Sequence, residues 1–280
     1  MMRAMAMRVH HLNCGTMCPY SARLVNGTGS YFERGRLVCH CLLIETDDGL
    51  VLVDTGLGTA DVTDPKRRLG PGFAAISGAR LDRDETALAH VKRLGFRPED
   101  VRHIVPTHMD LDHIGGLSDF PAATVHVFHL EHAAAMERRT LEEKSRYRPV
   151  QWSHRPSWRI HPAPNGERWF GFEAVHSIGA GSGDDVLLVP LHGHTRGHCG
   201  VAVRTPDGWL LHAGDAYFHH AEIAEVPRCP AGLDFFQRRV AIDDALRRSN
   251  QARLRELALT HASDVKVFSA HCPTDFARFV

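Results

Sequence analysis

The apolar residues of this chain fall in short blocks, each followed by a polar or glycine-containing turn. Blocks at 37–46, 50–53, 101–106, 124–128, 186–190, 199–205, 209–212 and 265–270 are rich in Val, Leu and Ile. They are too short for core helices, so each predicts a buried strand. A first strand is expected at 8–12, with a loop over 13–19. Asp47-Asp48-Gly49 and Pro206-Asp207-Gly208 each separate two blocks at hairpin distance. The two hairpins echo one another. Thr46-Asp47-Asp48-Gly49-Leu50-Val51-Leu52 aligns with Thr205-Pro206-Asp207-Gly208-Trp209-Leu210-Leu211, and each leads into a glycine-containing turn with an Asp, Asp54 or Asp215.

Helical spacing appears between these blocks. Asp84 can cap a helix to Leu94 that has Ala87, Leu88, Val91 and Leu94 on one side and Gly95 as its stop. Other helical patterns lie at 131–138 and within 233–247 and 252–261. Strands mixed with helices give the α/β class. Two halves, each a mixed sheet followed by helices, would pack face to face as an αββα four-layer sandwich, with a site at the seam. Two stretches resist assignment. Residues 59–81 have no period and read as a loop near a site. Residues 139–164 read as a polar, Arg-rich insertion carrying Tyr147, Trp152 and Trp158. That insertion is either a lid or pocket wall, or a solvated excursion with a small core of its own.

Composition narrows the picture. The chain of 280 residues is 43% hydrophobic and 24% charged, as in ordinary globular proteins. Lys+Arg and Asp+Glu balance at 33 each, which argues against a nucleic-acid binder. The first residues lack the apolar run of a signal peptide, and no window suits a membrane span. A cytoplasmic protein with its seven Cys reduced is the expectation. The Cys14/Cys18 and Cys39/Cys41 pairs lack structural-zinc spacing, and Cys39 and Cys41 read as small packing residues on one strand face. The count of 21 His leaves room for a metal site.

Candidate chemistry concentrates where strands end. The block at 101–106 runs into Thr107-His108-Met109-Asp110-Leu111-Asp112-His113-Ile114-Gly115-Gly116, with four metal-binding side chains inside six residues. Asp54, His194, Asp215 and His271 likewise follow apolar blocks. Imidazole and carboxylate converging on one sheet edge suit Zn, Fe, Mn or Co.

These motifs, in this order, resemble the metallo-β-lactamase superfamily over nearly the whole length, so 1–280 is read as one domain of that fold. The family's His-x-His-x-Asp-His appears here as His108-x-Asp110-x-Asp112-His113. The Gly-His-Thr-x-Gly-His element of its lactonase and glyoxalase II branches matches Gly193 to His198, with His194 the ligand. The resemblance implies two divalent ions, zinc first, with iron or manganese favoured by Asp110. One ion would take His108, His194 and Asp110; the other would take Asp112, His113 and His271. Asp215 would bridge them, and Asp54 and His198 would support the ligands.

The implied activity is a metal-dependent hydrolase in which water activated by the ions attacks a small ester-type carbonyl, above all a lactone. Asp112 serves as both ligand and catalytic group. Tyr217, two residues after Asp215 where the lactonases have a Tyr at the third, is a candidate oxyanion donor. The alternatives are a glyoxalase II-like thioesterase, with Arg247, Arg248 and Arg253 as its basic, glutathione-binding cluster, and a di-iron oxidoreductase suggested by Asp110. The expected partner is a small-molecule substrate, with no nucleic acid and no membrane; a homodimer is left open. Asp110 is the departure from the family pattern. Counting charges, it adds one negative unit to the centre and should raise the pKa of bound water.

Overall fold

The two hairpins are built alike. In a computed structural model, which describes residues 7–162, 167–180 and 185–280, the Thr46 hydroxyl donates to the Gly49 carbonyl at 2.8 Å. The Thr205 hydroxyl does the same to Gly208 at 3.0 Å. Both glycines have positive φ, 121° and 115°. A side chain at Gly208 would meet the Asp264 carbonyl at 2.6 Å, so the turn needs glycine.

Each hairpin sits in the same local topology. In the first sheet the order is β1 (Arg8–Met17), β2 (Leu37–Thr46), β3 (Gly49–Val53), β4 (Val101–Val105), β5 (Thr124–Phe128) and β6 (Ser157–His161). The second contains β7 (Glu167–Trp169), β8 (Phe172–Ser177), β9 (Val186–Pro190), β10 (Cys199–Thr205), β11 (Gly208–His212) and β12 (Val265–Phe268), again neighbour to neighbour. Strands β1 to β3 are antiparallel and β3–β4 parallel. Strands β9 to β11 repeat this, with β11–β12 parallel. The echo in the sequence is thus a repeat of topology.

Alternation along the strands builds the layers. Leu42, Ile44, Val51 and Val53 pack against Leu188, Val201, Val203 and Phe268, filling the space between the sheets. Their neighbours Leu43, Leu50 and Leu52 face the other way, onto Ala87, Val91, Ile114 and Ala134. On the far side, Val189, Ala202, Leu211 and Val267 meet Leu254 and Leu257. The result is the expected helix–sheet–sheet–helix stack. Leu42 is fully buried, so truncation to Ala would cost about 2–5 kcal/mol.

Several boundaries differ from the sequence reading. Strand β1 continues through the expected loop to Met17, with a bulge between Asn13 and Thr16. Asn13 and Thr16 bond each other at 2.8 Å, and Asn13 accepts from the Cys39 N–H at 3.1 Å. Satisfied polar groups hid this strand. Residues 59–81 fold into three short helices, Thr59–Thr63, Pro65–Arg68 and Gly70–Ser77. They are too short for periodicity and are held by a buried Arg68–Asp61 pair at 2.8 Å. Thr86, not Asp84, caps the helix Ala87–Arg93; Asp84 lies in the preceding turn Arg83–Glu85. The remaining expected helices span His129–Glu137, Ala231–Val240 and Asp244–Thr260.

The stretch 139–164 is not a detached excursion. It holds the helix Leu141–Arg146, the turn Pro149–Trp152 and the edge strand β6, parallel to β5. Tyr147 is buried in the main core, and Trp152 and Trp158 pack against it. Its last two residues, like the first six of the chain, lie outside the described residues. All seven Cys are free. Among the described residues, no helix is long and apolar enough to cross a membrane.

Candidate metal centre

The candidate ligands lie in the turns and the short helix that follow strand ends, and neighbours fix the direction of several of them. Asp54 follows β3 with φ of 54°, which turns its carboxylate under the loop after β4. It accepts from the Thr107 N–H at 2.7 Å and lies 2.8 Å from His113 Nδ1. Asp110 caps the short helix Leu111–Ile114, which carries Asp112 and His113. Thr55 holds this helix from below through the His113 carbonyl at 2.7 Å. Gly115 is required here, because a Cβ would come within 2.0 Å of Asp61.

The second sheet supplies the other half. His194 follows β9, Asp215 follows β11 and His271 follows β12. His198 Nδ1 lies 2.9 Å from the Leu191 carbonyl, and its Nε2 accepts from the Asp215 N–H at 2.9 Å. His198 therefore orients the Asp215 backbone. His271 Nδ1 faces the Val38 carbonyl at 2.7 Å.

The Asp215 carboxylate divides the donors. Its Oδ2 lies 3.8 Å from His108 Nε2 and 3.5 Å from His194 Nε2. Its Oδ1 lies 3.4 Å from His113 Nε2 and 3.1 Å from His271 Nε2. Asp110 belongs to the first group, 3.4 Å from His108 and 3.2 Å from His194. Asp112 belongs to the second, 3.5 Å from His271. The structure thus brings all seven candidate ligands close together: His108, Asp110 and His194 converge as one group, His108 and His113 converge on Asp215, and Asp112 and His271 converge with Cys39.

The donors fit cations. His113 and His271 each direct Nδ1 at an acceptor, which turns Nε2 toward the other donors. Against burial, Asp215 and Asp54 raise His113, and Asp215 and Asp112 raise His271, so each Nε2 would give up a proton when a cation binds. Those two Nε2 atoms lie 3.2 Å apart, an arrangement that a cation between them relieves. His108 Nε2 and Asp215 Oδ1 are buried with no hydrogen-bond partner among the described residues. Against burial, His271 and His113 hold the Asp215 carboxyl well below the usual range. Burial pushes His194 down to about 4, so it is neutral and able to donate a lone pair.

Three residues at the centre were not predicted as site residues. Glu131 is buried on the helix His129–Glu137 and accepts four hydrogen bonds. They come from Met109 N at 2.9 Å, Tyr147 Oη at 3.0 Å, Thr195 Oγ1 at 2.6 Å and Gly197 N at 3.0 Å. It ties the two ligand loops to the 139–164 stretch. Arg146, at the end of the helix Leu141–Arg146, bonds Asp110 at 3.0 and 3.2 Å. Cys39, read as a packing residue, does pack with Met17, Val25 and Leu37, but it also groups with Asp112 and His271. The Arg-rich character of 139–164 was the one available signal for Arg146. Glu131 had none, since a helical Glu is usually a solvated one.

Tyr217 corrects the oxyanion-donor expectation. It is buried, and its hydroxyl donates to Asp275 at 3.0 Å, away from the ligands. Phe218 is the residue beside the centre, stacked on His271 with ring centroids 5.0 Å apart. His219 caps the turn His220–Ile223, and His220 sits near Cys272, so neither joins the ligand sets.

The chain is 43% identical over 269 residues to a probable metallo-hydrolase of Mycobacterium tuberculosis, covering 95% of this chain and 80% of that protein. It is 34% identical over 119 residues to an N-acyl homoserine lactonase of Rhizobium johnstonii, covering 42% of this chain and 44% of the relative. An N-acyl homoserine lactone hydrolase, solved with N-hexanoyl-L-homoserine at its catalytic metal centre, superposes with a TM-score of 0.71 at 20% identity. That match covers 98% of this chain and 96% of the other. Residues 34–262 match the sequence model of the metallo-beta-lactamase superfamily, and the chain belongs to that superfamily.

Proposed function

We propose that this metallo-hydrolase opens the ester bond of a lactone at a centre of two divalent cations. The observation that carries the reading is the division of four imidazoles by the two oxygens of Asp215, with Asp110 beside His108 and His194 and Asp112 beside His271. His108, His194 and Asp110 would hold one cation; His113, His271 and Asp112 would hold the other. When bound, the cations would lower the pKa of a water and polarise the ester carbonyl. Zinc is the first choice, with iron or manganese as alternatives.

The chain's own residues supply the rest. Asp54 and the Val38 carbonyl fix the His113 and His271 tautomers, and His198 fixes Asp215. Asp112 is partly reached by solvent, with its side chain 12% exposed. It would take the proton of the attacking water and pass it to the departing ring oxygen. The acyl C–O bond breaks, and a hydroxy acid leaves. Beside the centre, Met17, Val25, Leu37, Phe218 and Leu233 form an apolar cluster with Phe73. The lactonase relatives support the same substrate class.

The basic cluster that the thioesterase alternative needs is already engaged within the fold. Arg247 is buried on Asp244 and Gln237, Arg248 bonds Asp244 and Asp234, and Arg253 bonds Asn250. The test is metal analysis of the purified protein, then turnover of lactones, thioesters and phosphoesters. Bound transition metal and lactone opening that a chelator abolishes are expected. No bound metal, and no activity on adding Zn, Mn or Fe, overturns the reading; turnover of thioesters alone replaces the substrate.

A further inference from the structure

We infer that Asp110 and Arg146 act as one neutral donor unit that takes the place of a third imidazole and sets the metal preference of the first site. This rests on the metal-centre reading above. The sequence alone makes Asp110 an extra negative charge. The structure supplies the matching positive one. Arg146 Nη1 donates to Asp110 Oδ1 at 3.2 Å and Oδ2 at 3.0 Å, and lies 3.2 Å from His194 Nε2. The Arg146 side chain is only 11% exposed, so solvent screens the pair weakly.

The arginine is held in place for this role. Nη2 donates to the Val240 carbonyl at the end of the helix Ala231–Val240, and Nη1 reaches the His194 carbonyl at 3.5 Å. A guanidinium bonded to one carboxylate and two carbonyls has little left for a substrate anion, and its contact with His194 Nε2 is one that a cation on that nitrogen would displace. This separates a counter-charge from a substrate anchor.

The charge sum on the two sides then differs. His108, His194, Asp110 and Arg146 together carry zero, as two or three neutral imidazoles would. His113, His271 and Asp112 carry −1. The first site should therefore keep a zinc-like preference despite its carboxylate. Without Arg146, an uncompensated carboxylate would bind any divalent ion more tightly and favour harder ones such as Mn. With His at 110 and Arg146 retained, the site would carry a net positive charge and bind more weakly.

The test is a set of four variants of the full chain, Arg146→Met, Arg146→Lys, Asp110→His and Asp110→His/Arg146→Met. Zn and Mn dissociation constants are measured for both sites by chelator competition, with circular dichroism to confirm folding. Arg146→Met should tighten one site by about tenfold or more, the scale of a unit charge a few ångströms away inside a protein, and shift it toward Mn. Arg146→Lys keeps the charge and should stay near wild type. Asp110→His should weaken that site, and the double variant should restore it. Equal changes in Arg146→Met and Arg146→Lys, or a double variant that binds no more tightly than Asp110→His, overturn the pairing while leaving the metal centre intact. A wild-type chain that takes up no ion overturns the centre itself, and the pairing with it.

Discussion

Tyr217 and Phe218 are neighbours in sequence but pack into different apolar clusters. The Tyr217 ring lies with Leu211, Ala213 and Leu254, and its hydroxyl bonds Asp275. Phe218 lies with Met17 and Leu37 and stacks on His271. Tyr217→Phe should therefore leave kcat and KM within about twofold and lower stability by about 1 kcal/mol, the usual value of one hydrogen bond. Phe218→Ala should cut kcat/KM by about tenfold or more through a loosened His271. Steady-state kinetics and urea unfolding of both variants check this; a large kcat loss in Tyr217→Phe would restore Tyr217 to the chemistry.

Glu131 joins three segments through one carboxylate, and an amide cannot replace it. A carboxylate accepts from Met109, Tyr147, Thr195 and Gly197 at once, whereas the NH2 of Gln would face donors. Glu131→Gln should cost about 2–4 kcal/mol and weaken metal binding by about tenfold or more. Unfolding curves and chelator competition read the two effects. Unchanged metal affinity would reduce Glu131 to a folding residue.

Asp54 touches no other ligand than His113, yet it holds that ring's proton at Nδ1. Asp54→Asn leaves the shape but removes the charge. Metal affinity should fall about 10–100-fold, the usual cost of losing such a partner. Zinc titration of the apo-protein checks this, and wild-type affinity in the variant would refute the assignment.

Acid should destabilise the fold through buried histidines outside the candidate ligand sets. His126 on β5 is buried between His103 at 3.0 Å and His161 at 3.1 Å. Burial, then His103 and His161, push it down to about 3. Burial first, then neighbouring charge, pushes His161 and His11 down to about 4. The unfolded chain binds these protons near pH 6.5 and the folded chain does not. Stability from these groups is thus complete above pH 6.5 and is lost as pH falls toward 4, by at most about 1.4 kcal/mol per unit for His126. Urea midpoints of metal-free protein from pH 7 to 4.5 should fall, and less steeply in His126→Asn. A flat profile would mean these rings are protonated in the fold.

The candidate ligands were legible because their chemistry is local. A strand ending in His108-x-Asp110-x-Asp112-His113 has few purely structural explanations, and Asp54 and Asp215 stood at matching turns of an echoed hairpin. The layers followed from alternation, as at Leu42, Leu43 and Ile44. What stayed hidden depends on long-range pairing. Arg146 looks like any arginine of a polar stretch until the fold sets it on Asp110, 36 positions earlier. The helices of 59–81 depend on Arg68 reaching Asp61, Gln151 and the Gly115 carbonyl, which no local pattern reveals. Tyr217 was misplaced because its position one residue away from a family pattern turns the side chain to another cluster.

The donors also come from both sheets. His108 to His113 follow a strand of the first, and His194, Asp215 and His271 follow strands of the second. His113 and His271, 158 residues apart, meet at 3.2 Å. Ions held there would act as a cross-link between two halves of the chain, comparable to a disulfide closing a loop of that length, which can be worth about 5 kcal/mol. Metal supply would then govern how long the folded chain survives as well as how fast it turns over.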